Sequence, residues 1–119
     1  MDNMLERLKG GLIVSCYAGA DFNAEMAVPE TMVCVAKSCI AGGAKAIRTN
    51  CENVAAVKAA VDVPVVAAGG LAGAEDAAAA ANAGAAAVAA ASALHYGTQT
   101  VQSLKQGLAA LGVEVRPCE

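Results

Sequence analysis

The 119 residues carry a formal charge of −3 and are 57% apolar, but only 3% are aromatic and alanine alone fills 31 positions. Low charge with frequent Val, Leu and Ile excludes a disordered chain, and eight scattered basic residues without a patch exclude nucleic acid as a partner. The length fits a single domain over residues 1–119, whose core is built largely from methyl groups that each gain little on burial.

Gly11–Cys16 is a continuous apolar run after the Gly10–Gly11 turn and predicts a first strand. Pro29–Ala41 predicts a helix: Pro29 suits the first turn, Met32, Val35, Ala36 and Cys39 share one face, and Gly42–Gly43 supply the left-handed stop. Lys45–Thr49 follows as a short second strand. Asn50 is placed to cap the next helix, with Asn53 three residues on and Val54, Val57, Lys58 and Val61 along it. Val63–Ala68 predicts a third strand, with Pro64 near its start, where a missing N–H is tolerated, and Gly69–Gly70 after it. Ala74–Ala83 is an alanine-rich helix with Glu75 and Asp76 in its first turn, where the helix dipole favours acids. Gly84 ends it, Ala85–Ala91 is the fourth strand, and Thr100–Leu111 is the last helix, stopped by Gly112. Four consecutive βα units result, and strands buried on both faces with crossover helices between them imply a parallel α/β sheet. Ala41–Ala44 and Asn82–Ala85 repeat one device, a helix that stops on Gly so that small residues let helix and strand pack closely.

Cys16, Cys34, Cys39, Cys51 and Cys118 are odd in number and form no Cys-x-x-Cys pair, so free thiols in a reducing cytoplasm are expected, with no disulfide framework, metal site or cofactor. The absence of a charged-then-apolar leader agrees with a cytoplasmic location. Residues 77–104 carry no Asp, Glu, Lys or Arg, but Asn82, Gly84, Ser92 and Gly97 interrupt them, so they read as a helix end, a turn and a strand rather than a membrane span.

Two families are resembled, in different halves. Leu5 to Cys16, Gly42 to Arg48 and Val61 to Val65 make the stretch from about residue 4 to 66 similar to the N-terminal part of N-acetylmannosamine-6-phosphate 2-epimerase. Val65 to Gly70, Ala90 to Gly97, Leu104-Lys105 and Leu111 to Arg116 make the stretch from about 63 to 116 similar to the C-terminal end of the cyclase subunit of imidazole glycerol phosphate synthase. Both families are (βα)8 barrels that bind sugar phosphates. The resemblance thus implies a (βα)4 half of a TIM barrel, units one and two of one family joined to units seven and eight of the other near Val63–Ala68. That order resembles a recombined or engineered chimera; one natural gene is the alternative.

In such barrels the phosphate commonly lies between the loops after strands seven and eight, here the third and fourth strands. Glycines after a strand let backbone N–H groups approach a phosphate, and a helix start adds its positive end. The resemblance places phosphate contacts at Gly69, Gly70, Ala91 and Ser92, the last two at the start of a short helix; the cyclase pattern has Ser where Ala68 stands. It implies further substrate contacts at Arg48, at the end of strand two, and at Tyr17, where the epimerase pattern has Gln. Arg48 read alone is equally an exposed residue or one arm of an ion pair. No catalytic residue is assigned. The epimerase pattern needs a Lys after strand three, where Ala67-Ala68-Gly69 stand, and a Glu from a unit this order lacks; the cyclase pattern needs two Asp, one of them where Ser15-Cys16-Tyr17 stand. Cys16 reads as an inert buried thiol and His95 as a packing residue.

The reading is a half-barrel that binds phosphate or a small phosphorylated ligand without a complete catalytic site. Two alternatives stand beside it: a minimal dimeric sugar-phosphate isomerase, and a structural chain with no ligand. Four parallel strands cannot close where a barrel of this type uses eight. A homodimer is therefore expected, its two copies completing the barrel around an interior where Ile13, Ile47 and Val66 or their strand neighbours point.

Overall fold

The structure, a computed structural model, describes residues 3–17 and 26–118. A short helix α1 (Met4–Leu8) precedes strand β1 (Ile13–Cys16). Helix α2 (Pro29–Ala41), strand β2 (Ala46–Thr49), a 3-10 turn (Cys51–Asn53) and helix α3 (Val54–Ala60) follow. Strand β3 (Val65–Ala68), helix α4 (Ala74–Asn82), strand β4 (Ala87–Ala89), and helices α5 (Ser92–His95) and α6 (Val101–Ala110) complete the order. The four strands form one parallel sheet in sequence order β1-β2-β3-β4. Right-handed crossovers in that order carry α2, α3 and α4 to one face, and this is the layout of half a (βα)8 barrel.

The register decides which residues meet the helices. Val14 aligns with Ile47 and Ile47 with Val65, while Ala67 aligns with Val88. These side chains, with Cys16, join Met32 and Ala36 of α2 and Val54 and Val57 of α3 in one core. A second cluster, Leu71, Ala77, Ala78, Leu104 and Leu108, lies between α4 and α6, and Cys51 and Val88 pack against both. Gly107 allows the close approach of α6, because a Cβ there would meet the Ala74 Cβ at 2.5 Å.

Among the described residues, no helix covers the opposite face. Its middle row is Ser15, Arg48, Val66 and Ala87, each aligned with the next. Ile13 stands one step below Ser15 and is 53% exposed. Of Ile47 and its strand neighbours, Arg48 takes the interior place, and Ile47 is fully buried on the helix side. Ile13 aligns with Ala46, so period-two alternation sends Ile13 and Ile47 to opposite faces.

Helix α2 has the bounds the sequence predicts, with Pro29 in its first turn and Gly43 at φ +103° after it. The strands are shorter than expected: β3 starts after Pro64, and β4 keeps only Ala87–Ala89 of the run Ala85–Ala91. Asn50 does not cap α3. Its side chain makes no bond to the backbone there; its Oδ1 accepts from Asn53 Nδ2 at 2.7 Å, and a 3-10 turn fills the space before Val54. Helix α1 was not predicted; Glu6, Arg7 and Lys9 break up any apolar stripe, and none of its residues is buried. No helix among the described residues is long and apolar enough to cross a membrane.

Candidate functional site

The C-terminal ends of β2, β3 and β4 meet in a cleft of about 140 Å³ lined by Arg48, Ala68, Gly69, Gly70, Leu71, Ala89, Ala91 and Ser92. Five of the six residues singled out from the sequence, Arg48, Gly69, Gly70, Ala91 and Ser92, therefore share one wall-to-wall space. The sixth, Tyr17, is 56% exposed at the end of β1 and takes no part in the lining.

Each wall has a local cause. Gly69 and Gly70 have φ of +95° and +75°, a region that glycine enters without strain. The chain thus turns sharply out of β3 and presents two consecutive backbone N–H groups. Leu71, 6% exposed, anchors the far side of the turn, and Asp76 Oδ2 accepts from the Ala72 N–H at 2.9 Å, tying the loop to the first turn of α4. Asp76 therefore does more than answer the helix dipole. Ala91, two residues past β4, has φ −130° and ψ −73°, outside the extended region, and its carbonyl accepts from the N–H groups of Leu94 and His95, which starts α5. The N–H groups of Gly69, Gly70, Ala91 and Ser92 have no acceptor among the described residues. Donors without acceptors, gathered at one exposed place, suit an anion.

Arg48 supplies the one full charge among the described residues of the lining. Its Nη1 donates to Ser15 Oγ at 2.8 Å, and no carboxylate among the described residues pairs with it. Its guanidinium keeps donors available for an oxygen ligand. Among the described residues, its lining includes no Lys, His, Asp or Glu.

Other reactive groups lie elsewhere. Cys16 is buried at 1% exposure, with its Sγ 3.9 Å from that of Cys39. Burial first, and then the hydrogen bond and proximity to Cys39, push its thiol up to about 11, so it is protonated and unreactive near neutral pH. Cys51 is raised as well, by burial and then by the negative charges of Asp76 and Glu52. His95 stacks edge-on against Tyr96 with ring centroids 4.8 Å apart, outside the cleft. All five cysteines are free, and no cluster of three His, Cys, Asp or Glu able to hold a metal occurs among the described residues. Below the sheet, an apolar depression of about 250 Å³ between α4 and α6 offers no charged group but Lys105. Sequence reasoning missed the Ser15–Arg48 bond and the Asp76–Ala72 tie, because both depend on the register and the loop path rather than on any spacing.

A family model described as dihydroorotate dehydrogenase matches residues 24–111, most of the chain. The chain belongs to the dihydroorotate dehydrogenase family. Partial likenesses run to two other proteins. A protein of Thermosynechococcus vestitus carrying the name N-acetylmannosamine-6-phosphate 2-epimerase is 42% identical over 65 residues, 54% of this chain and 28% of the relative. Imidazole glycerol phosphate synthase subunit HisF of Beutenbergia cavernae is 54% identical over 65 residues, 55% of this chain and 25% of the relative. Among solved structures, wild-type GGGPS from Thermoplasma volcanium superposes with a TM-score of 0.59 over 74% of this chain and 40% of its own length, at 19% identity, a likeness of fold alone. The chain spans between a quarter and two fifths of these proteins. The expected likenesses to the epimerase and to the cyclase subunit are both found, and the fold is the expected half of a TIM barrel.

Proposed function

We propose that this chain binds phosphate, free or as the end of a small sugar phosphate, in the cleft between the β3 and β4 loops, without a complete set of proton-transfer groups. The observation that carries the reading is that one space is lined by Arg48, which no described carboxylate pairs, and by four residues whose backbone N–H groups have no acceptor among the described residues. Likeness to an epimerase and to a synthase that are both named for phosphate compounds supports it. Addition of phosphate followed by amide NMR should move the signals of Gly69, Gly70, Ala91 and Ser92. If none of the four moves, the reading fails and a chain without a ligand takes its place.

The rival, a shortened sugar-phosphate isomerase, draws on the 42% identity to the epimerase-named protein. General acid and base each supply on the order of a hundred- to ten-thousand-fold in rate, and the described residues of the lining include neither. Epimerisation of N-acetylmannosamine 6-phosphate is therefore expected to stay at the background rate. Turnover that survives both Arg48→Ala and Cys16→Ala would overturn the main reading. For the origin of the chain, the two partial likenesses support recombination of two barrel segments with a junction near Val63–Ala68.

A further inference from the structure

We propose that Cys16 and Cys39 are a reversible redox site, which a small-molecule disulfide oxidises to an intramolecular bond that staples β1 (Ile13–Cys16) to α2 (Pro29–Ala41). The inference is independent of the phosphate reading and stands or falls without it.

The geometry singles out this pair. Cys16 is the last residue of β1, and strand alternation turns it toward the helices, into the core with Met32 and Ala36. Cys39 follows Met32 and Ala36 at helical spacing along α2, on the stripe that packs against that core. The two sulfurs are 3.9 Å apart, and both are free thiols. Disulfide sulfurs stand about 2 Å apart, so each side chain has to move roughly 1 Å for the bond to form. Cys34, on the same helix, lies five positions before Cys39 and is exposed, as is Cys118. Among the described residues, Cys16 and Cys39 are the cysteines whose sulfurs meet.

Their surroundings divide the roles. Cys39 is half-buried and meets solvent, whereas Cys16 is 1% exposed. Burial, and then Cys39, hold the Cys16 thiol protonated up to about 11. Cys39 is therefore the sulfur that reacts first. Its thiolate attacks one sulfur of the small disulfide, whose S–S bond breaks, and one thiol leaves. Cys16 then stands beside the mixed disulfide. It gives its proton to solvent, attacks the Cys39 sulfur and expels the second thiol. In sum, the two protein thiols lose two hydrogens and two electrons, and one molecule of disulfide becomes two thiols. The new bond joins positions 23 residues apart. It fixes the end of β1, where Ser15 accepts the hydrogen bond from Arg48.

Equilibration of the folded chain in mixtures of reduced and oxidised glutathione, followed by acid quenching and non-reducing peptide mapping by mass spectrometry, tests the site. The peptides holding Cys16 and Cys39 should appear linked, with the loss of two hydrogens, and dithiothreitol should restore both thiols. Loop closure should lower the unfolding equilibrium constant of the linked chain on the order of a hundredfold, read as a higher urea midpoint. Cys34→Ser should keep the bond, and Cys39→Ser should leave Cys16 reduced. Cys16→Ala should trap the first step, with glutathione held on Cys39. The map of the wild-type chain decides the matter without any variant having to fold. Glutathione that collects on Cys34 and Cys118 while Cys16 and Cys39 stay reduced overturns the proposal, as do links that join other cysteines instead. A linked chain with a lower urea midpoint than the reduced one also overturns it, because the bond would then distort the packing it is proposed to fasten.

Discussion

At the scale of single residues, the site depends on backbone that only certain side chains permit. Gly70 sits at φ +75° with nothing within 4 Å of where a Cβ would stand, so a substitution there is opposed by conformation and not by crowding. Gly70→Val should lower stability by about 1–2 kcal/mol, read as a lower urea midpoint, and should abolish the phosphate-induced amide shifts because the turn must re-route its N–H groups. Unchanged shifts would mean that the anion is held elsewhere. Cys16 makes a different kind of statement. Its thiol is raised from 9.0 to about 11 by burial and by Cys39, so the folded state retains a proton that the unfolded chain gives up. Its contribution to stability is whole below pH 9 and is lost as pH climbs from about 9 to about 11. The difference in unfolding free energy between wild type and Cys16→Ala should therefore shrink across that window. Alkylation at mildly alkaline pH should label the exposed Cys34 and Cys118 well before Cys16; equal rates would contradict the burial argument.

At the scale of elements, most boundaries were legible where the sequence carries a stop or a start with a mechanism. Pro29 and Gly42–Gly43 bracket α2 to the residue. Helix α6 begins where Thr100 was read as its first residue, and the structure adds the reason: Thr100 Oγ1 accepts from the Ser103 N–H at 3.0 Å while Ser103 Oγ accepts from the Thr100 N–H at 2.9 Å. Thr100→Ala removes half of this reciprocal cap and should cost about 0.5–2 kcal/mol, seen as an earlier thermal transition; an unchanged midpoint would show that α6 is held by Leu104 and Leu108 alone. Boundaries were illegible where the residues are all alanine. Ala85–Ala91 reads equally as a long or a short strand, and pairing to β3 picks out Ala87–Ala89. Asn50 and Asn53 were misread because a capping residue and a side-chain pair share the same spacing, and the pair won. Of the site, the four backbone donors and Arg48 could be named from sequence pattern and resemblance. The meeting of the β3 and β4 loops is also implied by the resemblance; the Ser15–Arg48 bond is not, since it is set by the register of β1 and β2.

At the scale of the whole molecule, the sheet face was the hardest feature to read. A strand that is apolar throughout does not say which alternate residues face the helices, so the sequence leaves open whether Ile47 or its neighbour lines the interior, and the register puts Arg48 there. The two clusters of the core are also unequal. One gathers Met32, Ile47, Val54, Val57 and Val65, all at 2% exposure or less. The other rests on three leucines and two alanines, with the depression of about 250 Å³ between α4 and α6 beside them. The second holds five buried residues against eleven in the first, and the two clusters touch through the half-buried Cys51 and Val88. Such a molecule does not open evenly. Under native-state hydrogen exchange, the amides of α4, β4 and α6 should exchange through a partial opening that leaves Ile47 and Val65 protected; uniform protection across both regions would refute the division. The loops that make the cleft spring from β3 in the tighter region and from β4 in the looser one. An anion bridging them fastens one cooperative unit to the other, so its presence should be reported far from the cleft, as slowed exchange along α6.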